Sequence, residues 1–153
     1  DARVLDGYLV FEHFGKAPDG SSSEMNFDNR MIWIVRPDGG DLRELAPGNP
    51  VDGKVSPDIA PDGKTLWSTS KFNSHVYAYS IPELKYLGAV RVGKVPDWLT
   101  LTPDSKKLYV ANAHSNFVSV VDVAARKEIA KIKVGQVPKR NITALLPALP
   151  ATQ

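Results

Sequence analysis

Residues 108–138, LYVANAHSNFVSVVDVAARKEIAKIKVGQVP, decide the fold of this chain. Three runs within them are apolar, or alternate apolar with charged residues, which predicts β-strands at 108–112, 117–123 and 127–134. The residues between these runs are few and are small or polar, as in hairpin connections. The stretch therefore predicts an antiparallel meander.

The same succession of apolar runs and turn signals fills the rest of the chain. Pro-Asp-Gly or Pro-Asp-Ser turns begin at Pro37, Pro61 and Pro103. No window of eleven or more residues has the 3.6-residue period of a helix, so the fold class is predicted to be all-β. Further strands are predicted at 7–14, 31–36, 41–46, 55–60, 65–70, 75–80, 85–92 and 96–102.

The composition is that of an ordinary globular chain of one domain. Among 153 residues, 42% are hydrophobic, and 19 basic side chains face 17 acidic ones, so no strong field favours nucleic acid or an anionic membrane. The absence of cysteine excludes disulfides and thiolate metal sites. No apolar run approaches the ~18 residues that a membrane span needs. The first residue is Asp1, and we expect a processed, exported protein or a fragment.

An internal repeat gives the architecture. PDGKTLW at 61–67 returns as PDSKKLY at 103–109, an offset of 42 residues that needs no gap. The same offset carries Val92-Gly93 onto Val134-Gly135. Four short strands in about 40–45 residues are the signature of a β-propeller blade.

The repeat also resembles a known family. Residues 108–138 are similar to the YVTN β-propeller repeat, with LYVAN as its eponymous strand, VSVVD as the next strand and VGxxP as the exit. Residues 66–96 are a looser copy, and residues 32–48 look more like the blades of Tol-type periplasmic propellers. The resemblance covers about 100 of the 153 residues. It implies the fold, whereas such propellers include binding proteins, lactonase-like enzymes and subunits of haem or quinone redox enzymes.

We predict a partial β-propeller of about three four-stranded blades at 1–50, 51–95 and 96–137. Residues 139–146 are predicted to be the first strand of a further blade, and residues 147–153 a loose tail. A closed propeller needs at least four blades. The chain is therefore expected to complete a ring with further blades or with another protein chain.

The resemblance implies a ligand-binding face, formed by the loops between second and third strands together with the connections between blades. The longest such loop is predicted at 15–29 and is a candidate for partner contact. The candidate residues for a ligand or partner on this face are Lys16, Asp19, Asn73, His75, Asp97, Trp98, Asn112, His114, Asn116 and Arg140. Trp98 is placed to stack on a ligand or to pack between blades, and Arg140 to meet an anion or simply to be solvated.

Metal binding has weak candidates only. The three histidines, His13, His75 and His114, fall at corresponding edges of the three blades, where imidazoles bind Zn or Cu if they converge. None has a close acidic or imidazole partner in the sequence, which favours a structural or exposed-loop role. The acids Asp19, Glu24 and Asp28 fit no compact calcium loop. We therefore predict neither a metal nor another cofactor.

The sequence carries no catalytic signature: it has no G-x-S-x-G elbow, no phosphate-binding Gly loop and no H-E-x-x-H. Our first hypothesis is a non-catalytic, periplasmic or secreted propeller that binds a protein or small ligand as a scaffold. The alternative is a propeller subunit of a periplasmic redox enzyme complex. A lactonase-like hydrolase comes third.

Overall fold

The structure is a computed structural model that describes residues 9–14, 30–44 and 54–146. These residues form β-strands and turns and contain no helix. None of them therefore forms a helix that is long and apolar enough to cross a membrane. The strands are β1 (Leu9–Phe14), β2 (Arg30–Val35), β3 (Arg43–Glu44), β4 (Lys54–Ile59), β5 (Thr65–Ser70), β6 (His75–Ser80), β7 (Tyr86–Arg91), β8 (Pro96–Leu101), β9 (Lys107–Asn112), β10 (Phe117–Asp122) and β11 (Lys127–Lys133).

The strands form three antiparallel sheets that follow one another along the chain. Blade A is β1-β2-β3, blade B is β4-β5-β6-β7 and blade C is β8-β9-β10-β11. Each strand pairs with the next one in sequence, as in a meander. In blade B a β-bulge lies at Ala78/Tyr79, and in blade C at Val120/Val121. The 42-residue repeat thus extends from the sequence to the irregularities of the backbone.

The turns of the blades share an uncommon backbone conformation. Left-handed φ angles occur at Ser74, Leu84 and Val95 in blade B. They recur 42 residues later, at Asn116, Arg126 and Val137. Blade A carries the same feature at Asp41, 43 residues before Leu84. We therefore equate β1, β2 and β3 with the outer three strands of blades B and C.

The core lies between the blades. Successive side chains of a strand point to opposite faces, so blade B buries one face against blade A and the other against blade C. In β5, Leu66 packs with Ile34 of blade A, whereas Trp67 belongs to the cluster shared with blade C. Leu108 and Val110 of blade C, both 0% exposed, belong to the same cluster as Trp67. This face-to-face stacking of twisted four-stranded sheets is the packing of a β-propeller.

The structure confirms the all-β propeller predicted from the sequence, with blades B and C complete at four strands each. Blade A has three described strands; β3 begins at Arg43, two residues after the predicted start at 41, and the predicted end at 46 lies outside the described residues. No strand is assigned at 139–146, although these residues make regular contacts with blade C. The predicted loop at 15–29 and the tail at 147–153 lie outside the described residues.

Candidate functional site

Four connections meet at one end of the described blades, which we call the loop face. They are residues 71–74 between β5 and β6, residues 92–95 between blades B and C, residues 113–116 between β9 and β10, and residues 134–138 after β11. Backbone hydrogen bonds tie them together: Val92 N donates to Ser74 O at 2.9 Å, and Ala113 N donates to Val95 O at 2.9 Å. The Pro-Asp-Gly and Pro-Asp-Ser turns lie at the other end.

An ion pair joins blades B and C at the loop face. Lys71 Nζ lies 2.5 Å from Asp97 Oδ1, and the two side chains are 25% and 18% exposed. The backbone oxygen of Asp97 also accepts a hydrogen bond from Ser56 Oγ at 2.6 Å. Asp97 is therefore held by blade B through both its side chain and its main chain.

Three equivalent positions lie near the start of the inner strands or segment at this end, and we call them the mouth positions: Ser56 in β4, Trp98 in β8 and Arg140, each 42 residues from the next. The inner strands of a propeller line its central channel. Trp98 is 39% exposed, and Arg140 Cζ lies 5.2 Å from the centre of its ring, in cation–π contact. The repeat thus places a hydroxyl, an indole and a guanidinium side by side.

Asn73 and His75 are used within blade B. The Nδ1 atom of His75 lies 2.6 Å from Asn73 O. The side-chain amide of Asn73 donates to the hydroxyl of Tyr77 at 2.5 Å. The Oδ1 atom of Asn73 is buried without a hydrogen-bond partner among the described residues. These contacts order the start of β6 and leave His75 half-buried.

Asn112 is a buried structural residue. It is 0% exposed, and its Nδ2 atom donates to Val110 O, Phe117 O and Ser119 Oγ at 2.9–3.1 Å. Ser119 in turn donates to Glu128 Oε1 at 2.7 Å. Asn112, at the end of the YVTN-like strand, therefore stabilises the loop at 113–116 through these hydrogen bonds.

Asn116 and His114 differ in their roles on the same loop. The Oδ1 atom of Asn116 accepts a hydrogen bond from Val137 N at 3.1 Å, which fixes the exit from blade C. His114 is exposed, and its backbone amide donates to Lys94 O at 3.2 Å. Its imidazole is thus presented to solvent above blade C.

The described residues contain no group of three or more His, Asp or Glu side chains close enough to hold a metal ion. His13 lies in β1, where it pairs with Met31, but its side chain is outside the description. Lys16, Asp19, Glu24 and Asp28 fall in the undescribed residues 15–29. Nothing described tests His13 as a weak candidate for a metal ligand.

Sequence reasoning missed Lys71, Ser56 and Phe72. Phe72 is 65% exposed on the loop face, at the position that His114 occupies one repeat later. The available signal was the difference between repeats: Lys71 corresponds to Ala113, and Asp97 to Lys139. At positions where the residue differs between two repeats, one blade can form a contact that the next blade lacks.

Comparison with known proteins shows the fold. No protein-family model matches the chain, and no curated protein matches it. Among solved structures, hydrazine synthase of Kuenenia stuttgartiensis is 38% identical over 57% of this chain and 25% of its own, with a TM-score of 0.56. A candidate 6-phosphogluconolactonase of Bacteroides fragilis is 23% identical over 84% of this chain and 39% of its own, with a TM-score of 0.63.

A third similar structure is AztD of Citrobacter koseri, 18% identical over 77% of this chain and 33% of its own, with a TM-score of 0.61. The chain spans between a quarter and two fifths of the length of these three proteins. At such low identities the last two comparisons carry the fold alone. Together with the stacked four-stranded sheets, they show that this chain has the β-propeller fold.

Proposed function

We propose that this chain is part of a non-catalytic β-propeller that acts as a binding scaffold and completes its ring with further blades or another chain. One observation carries the proposal. Residues 139–146 form hydrogen bonds with blade C of the kind that an inner strand forms with the preceding blade, but their apolar side chains stay exposed. The exposed fractions are 88% for Ile142, 82% for Leu145 and 85% for Leu146.

The bonding pattern is specific. Thr143 N donates to Thr100 Oγ1, and Asn141 Nδ2 donates to Tyr109 O at 3.1 Å. One repeat earlier, Leu101 N of β8 donates to Asp58 of β4. We therefore interpret residues 139–146 as the inner strand of a fourth blade whose other strands come from outside the described residues.

The energetics favour a covered state for this segment. Burying one Leu or Ile side chain stabilises a fold by about 1.5–3 kcal/mol. Three such side chains are exposed at 142–146. A further blade packed beside them would bury these side chains and would also pair the free edge of the backbone, as β9 pairs with β8.

The loop face is the proposed contact surface. Phe14 pairs with Arg30 at one end of the β1–β2 hairpin. This end corresponds to the end of β5 and β6 that lies at the loop face. Phe14 and Arg30, which bound the undescribed residues 15–29 with Lys16 and Asp19, therefore lie at this face. Loops on a rigid scaffold are where recognition residues concentrate. We also propose that the chain is exported to the periplasm or secreted.

The test is the solution state of the purified chain, measured by multi-angle light scattering with an apolar dye. We expect a mass above the 16.7 kDa monomer, or a monomer that binds the dye. Replacing Leu145 and Leu146 by Asp should reduce both association and dye binding. A compact monomer that excludes the dye would contradict the proposal.

A second candidate is a propeller subunit of a redox enzyme complex. The 38% identity to hydrazine synthase over 57% of this chain favours it. In this setting the propeller itself carries no haem and packs on a chromophore-bearing subunit. Native co-purification separates the two candidates: a stoichiometric partner with a haem absorption spectrum supports the redox complex, and a colourless preparation without such a partner supports an independent binder.

A further inference from the structure

The guanidinium of Arg140 lies over the ring of Trp98, and its N–H donors have no hydrogen-bond partner among the described residues. Its Cζ atom stands 5.2 Å from the ring centre of Trp98. A guanidinium that stacks on an aromatic ring keeps its five N–H donors in the plane of the group, where they match a carboxylate. Among the described residues, no hydrogen bond or ion pair engages this edge, and the residue is exposed.

The nearby charges favour an anion. The one acidic side chain next to Trp98 in β8 is Asp97, and it is already paired with Lys71 at 2.5 Å. Lys139, beside Arg140, is exposed and has no ion pair among the described residues. Arg140 and Lys139 therefore bring two positive charges to this end of blade C, and no acidic side chain among the described residues forms an ion pair with either.

Trp98 adds an apolar surface to this charge. It is 39% exposed in spite of its contact with Arg140, so part of the indole remains open to a ligand. A planar ring gains offset stacking or edge contact with an indole, which contributes about 0.5–1.5 kcal/mol beyond its burial in known pairs. Cation and indole together select a carboxylate that is attached to a flat, apolar group.

We propose that Trp98 and Arg140 form a carboxylate-binding site at the channel mouth, which takes an aromatic carboxylate. Arg140 accepts the carboxylate as a bidentate partner, and the exposed indole of Trp98 contacts the attached ring. The inference is independent of the proposed scaffold role, because it concerns a ligand of blade C and residue 140 and requires no further blade. The carboxylate belongs either to a free small acid or to an acidic side chain beside an aromatic residue in a peptide.

Tryptophan fluorescence measures this site directly. Of the three tryptophans in the sequence, Trp33 and Trp67 are 3% and 1% exposed, so Trp98 is the one that a solute reaches. The full chain is titrated at constant ionic strength with benzoate, and in a second arm with N-acetyl-Phe-Glu-amide. Acetate tests the charge alone, and benzamide tests the ring alone. We expect saturable changes in Trp98 emission with one or both carboxylate-plus-ring probes, and the tighter one identifies the source.

Arg140→Gln should weaken binding about tenfold or more, because it removes a charged bidentate donor. Arg140→Lys keeps the charge and should recover only part of the affinity. The matched control is Arg126→Gln, an exposed arginine in the turn at the other end of blade C, which should bind like the wild type. Equal titrations for Arg140→Gln and wild type, or an equal response to benzamide, would overturn the proposal.

Discussion

The backbone amide of Thr143 donates to the hydroxyl oxygen of Thr100 at 3.3 Å, and the two threonine hydroxyls lie 2.9 Å apart. One blade earlier the amide of Leu101 donates to Asp58 Oδ2, also at 3.3 Å. Both pairs are 43 residues apart in sequence. In both places a polar side chain on an inner strand thus accepts a hydrogen bond from a backbone amide that lies one repeat further along the chain.

Thr100→Val should loosen residues 139–146 without unfolding blade C. The change preserves shape and removes the acceptor of the Thr143 amide, and such a bond is worth about 1 kcal/mol. Hydrogen exchange at Thr143 should therefore become about fivefold faster. Thr65→Val is the control, because Thr65 Oγ1 accepts from Trp67 Nε1 within blade B. Unchanged exchange at Thr143 would show that the bond contributes nothing to docking.

Replacing Leu145 and Leu146 by Asp should leave the unfolding free energy of the isolated chain within about 0.5 kcal/mol, since both side chains are more than 80% exposed. Self-association or partner binding should be lost. Urea denaturation gives the first quantity and light scattering the second. A fall in stability above about 1 kcal/mol would mean that the leucines already pack within the chain.

Replacement by alanine should destabilise the fold at Gly93 but have little effect at its repeat equivalent Gly135. A Cβ at Gly93 would lie 2.6 Å from Asn112 Cγ and 2.8 Å from Phe117 Cζ. Asn112 cannot move away cheaply, because three hydrogen bonds hold its amide. Gly93→Ala should thus cost about 1–3 kcal/mol in unfolding free energy.

At Gly135 a Cβ would meet nothing within 4 Å. Gly135→Ala should change the free energy of unfolding by less than about 1 kcal/mol. Thermal or urea denaturation of the two variants measures both changes in the free energy of unfolding. Equal effects would mean that the close approach of Gly93 to Asn112 is not what fixes this junction.

Breaking the Lys71–Asp97 ion pair should weaken the interaction between blades B and C. Both side chains are largely buried, so we expect a coupling energy of about 1–2 kcal/mol from a double-mutant cycle with Lys71→Met and Asp97→Asn. The exposed pair of Arg43 and Asp41 at 3.4 Å is the control and should give less than about 0.5 kcal/mol. Similar coupling in both pairs would count against a special role for Lys71.

Asp104 should make stability depend on pH in acid. The hydroxyl of Thr102 donates to Asp104 Oδ1 at 2.6 Å and, with the backbone amide of Lys106, lowers the pKa of Asp104 below its ordinary value of 3.8. Because the folded state binds the proton less well, the stabilisation is full above the unfolded pKa and is lost as the pH falls through the folded pKa.

Carboxyl chemical shifts followed by NMR from pH 7 down to pH 2 report the titration of Asp104. Thr102→Ala should raise the pKa of Asp104, because it removes the largest cause of the shift. Asp104→Asn should flatten the fall of stability below about pH 4. An Asp104 that titrates at 3.8 or above in the intact protein would contradict this assignment.

The fold was predictable because its signal is repeated. The offset between Pro61 and Pro103 gave the blade length, and the apolar runs gave the strands, since propensity and pattern agree in blades B and C. Pro57 lies in β4, an edge strand of its sheet, where a proline is tolerated because the missing N–H is not needed for a central ladder. Blade A was harder, because its first described strand is equivalent to β5 and the residues before Leu9 lie outside the description.

The site was only partly predictable, because its contacts cross between blades. Trp98 and Arg140 were found from their places beside blade junctions, but nothing in the sequence showed that they touch. The ion pair of Lys71 with Asp97 joins residues 26 positions apart and occurs in one repeat only. Asn112 was a candidate for recognition, whereas its complete burial shows that its amide serves the fold.

The left-handed residues of the blades have a consequence for how such repeats diverge. Ser74 and Asn116, Leu84 and Arg126, and Val95 and Val137 share a backbone conformation, although all but the last pair differ in side chain. For residues other than glycine this conformation costs about 1–2 kcal/mol, so the strand ladders on either side must impose it. The side chains at these positions can therefore change by mutation while the backbone dihedral angles of the blade stay the same.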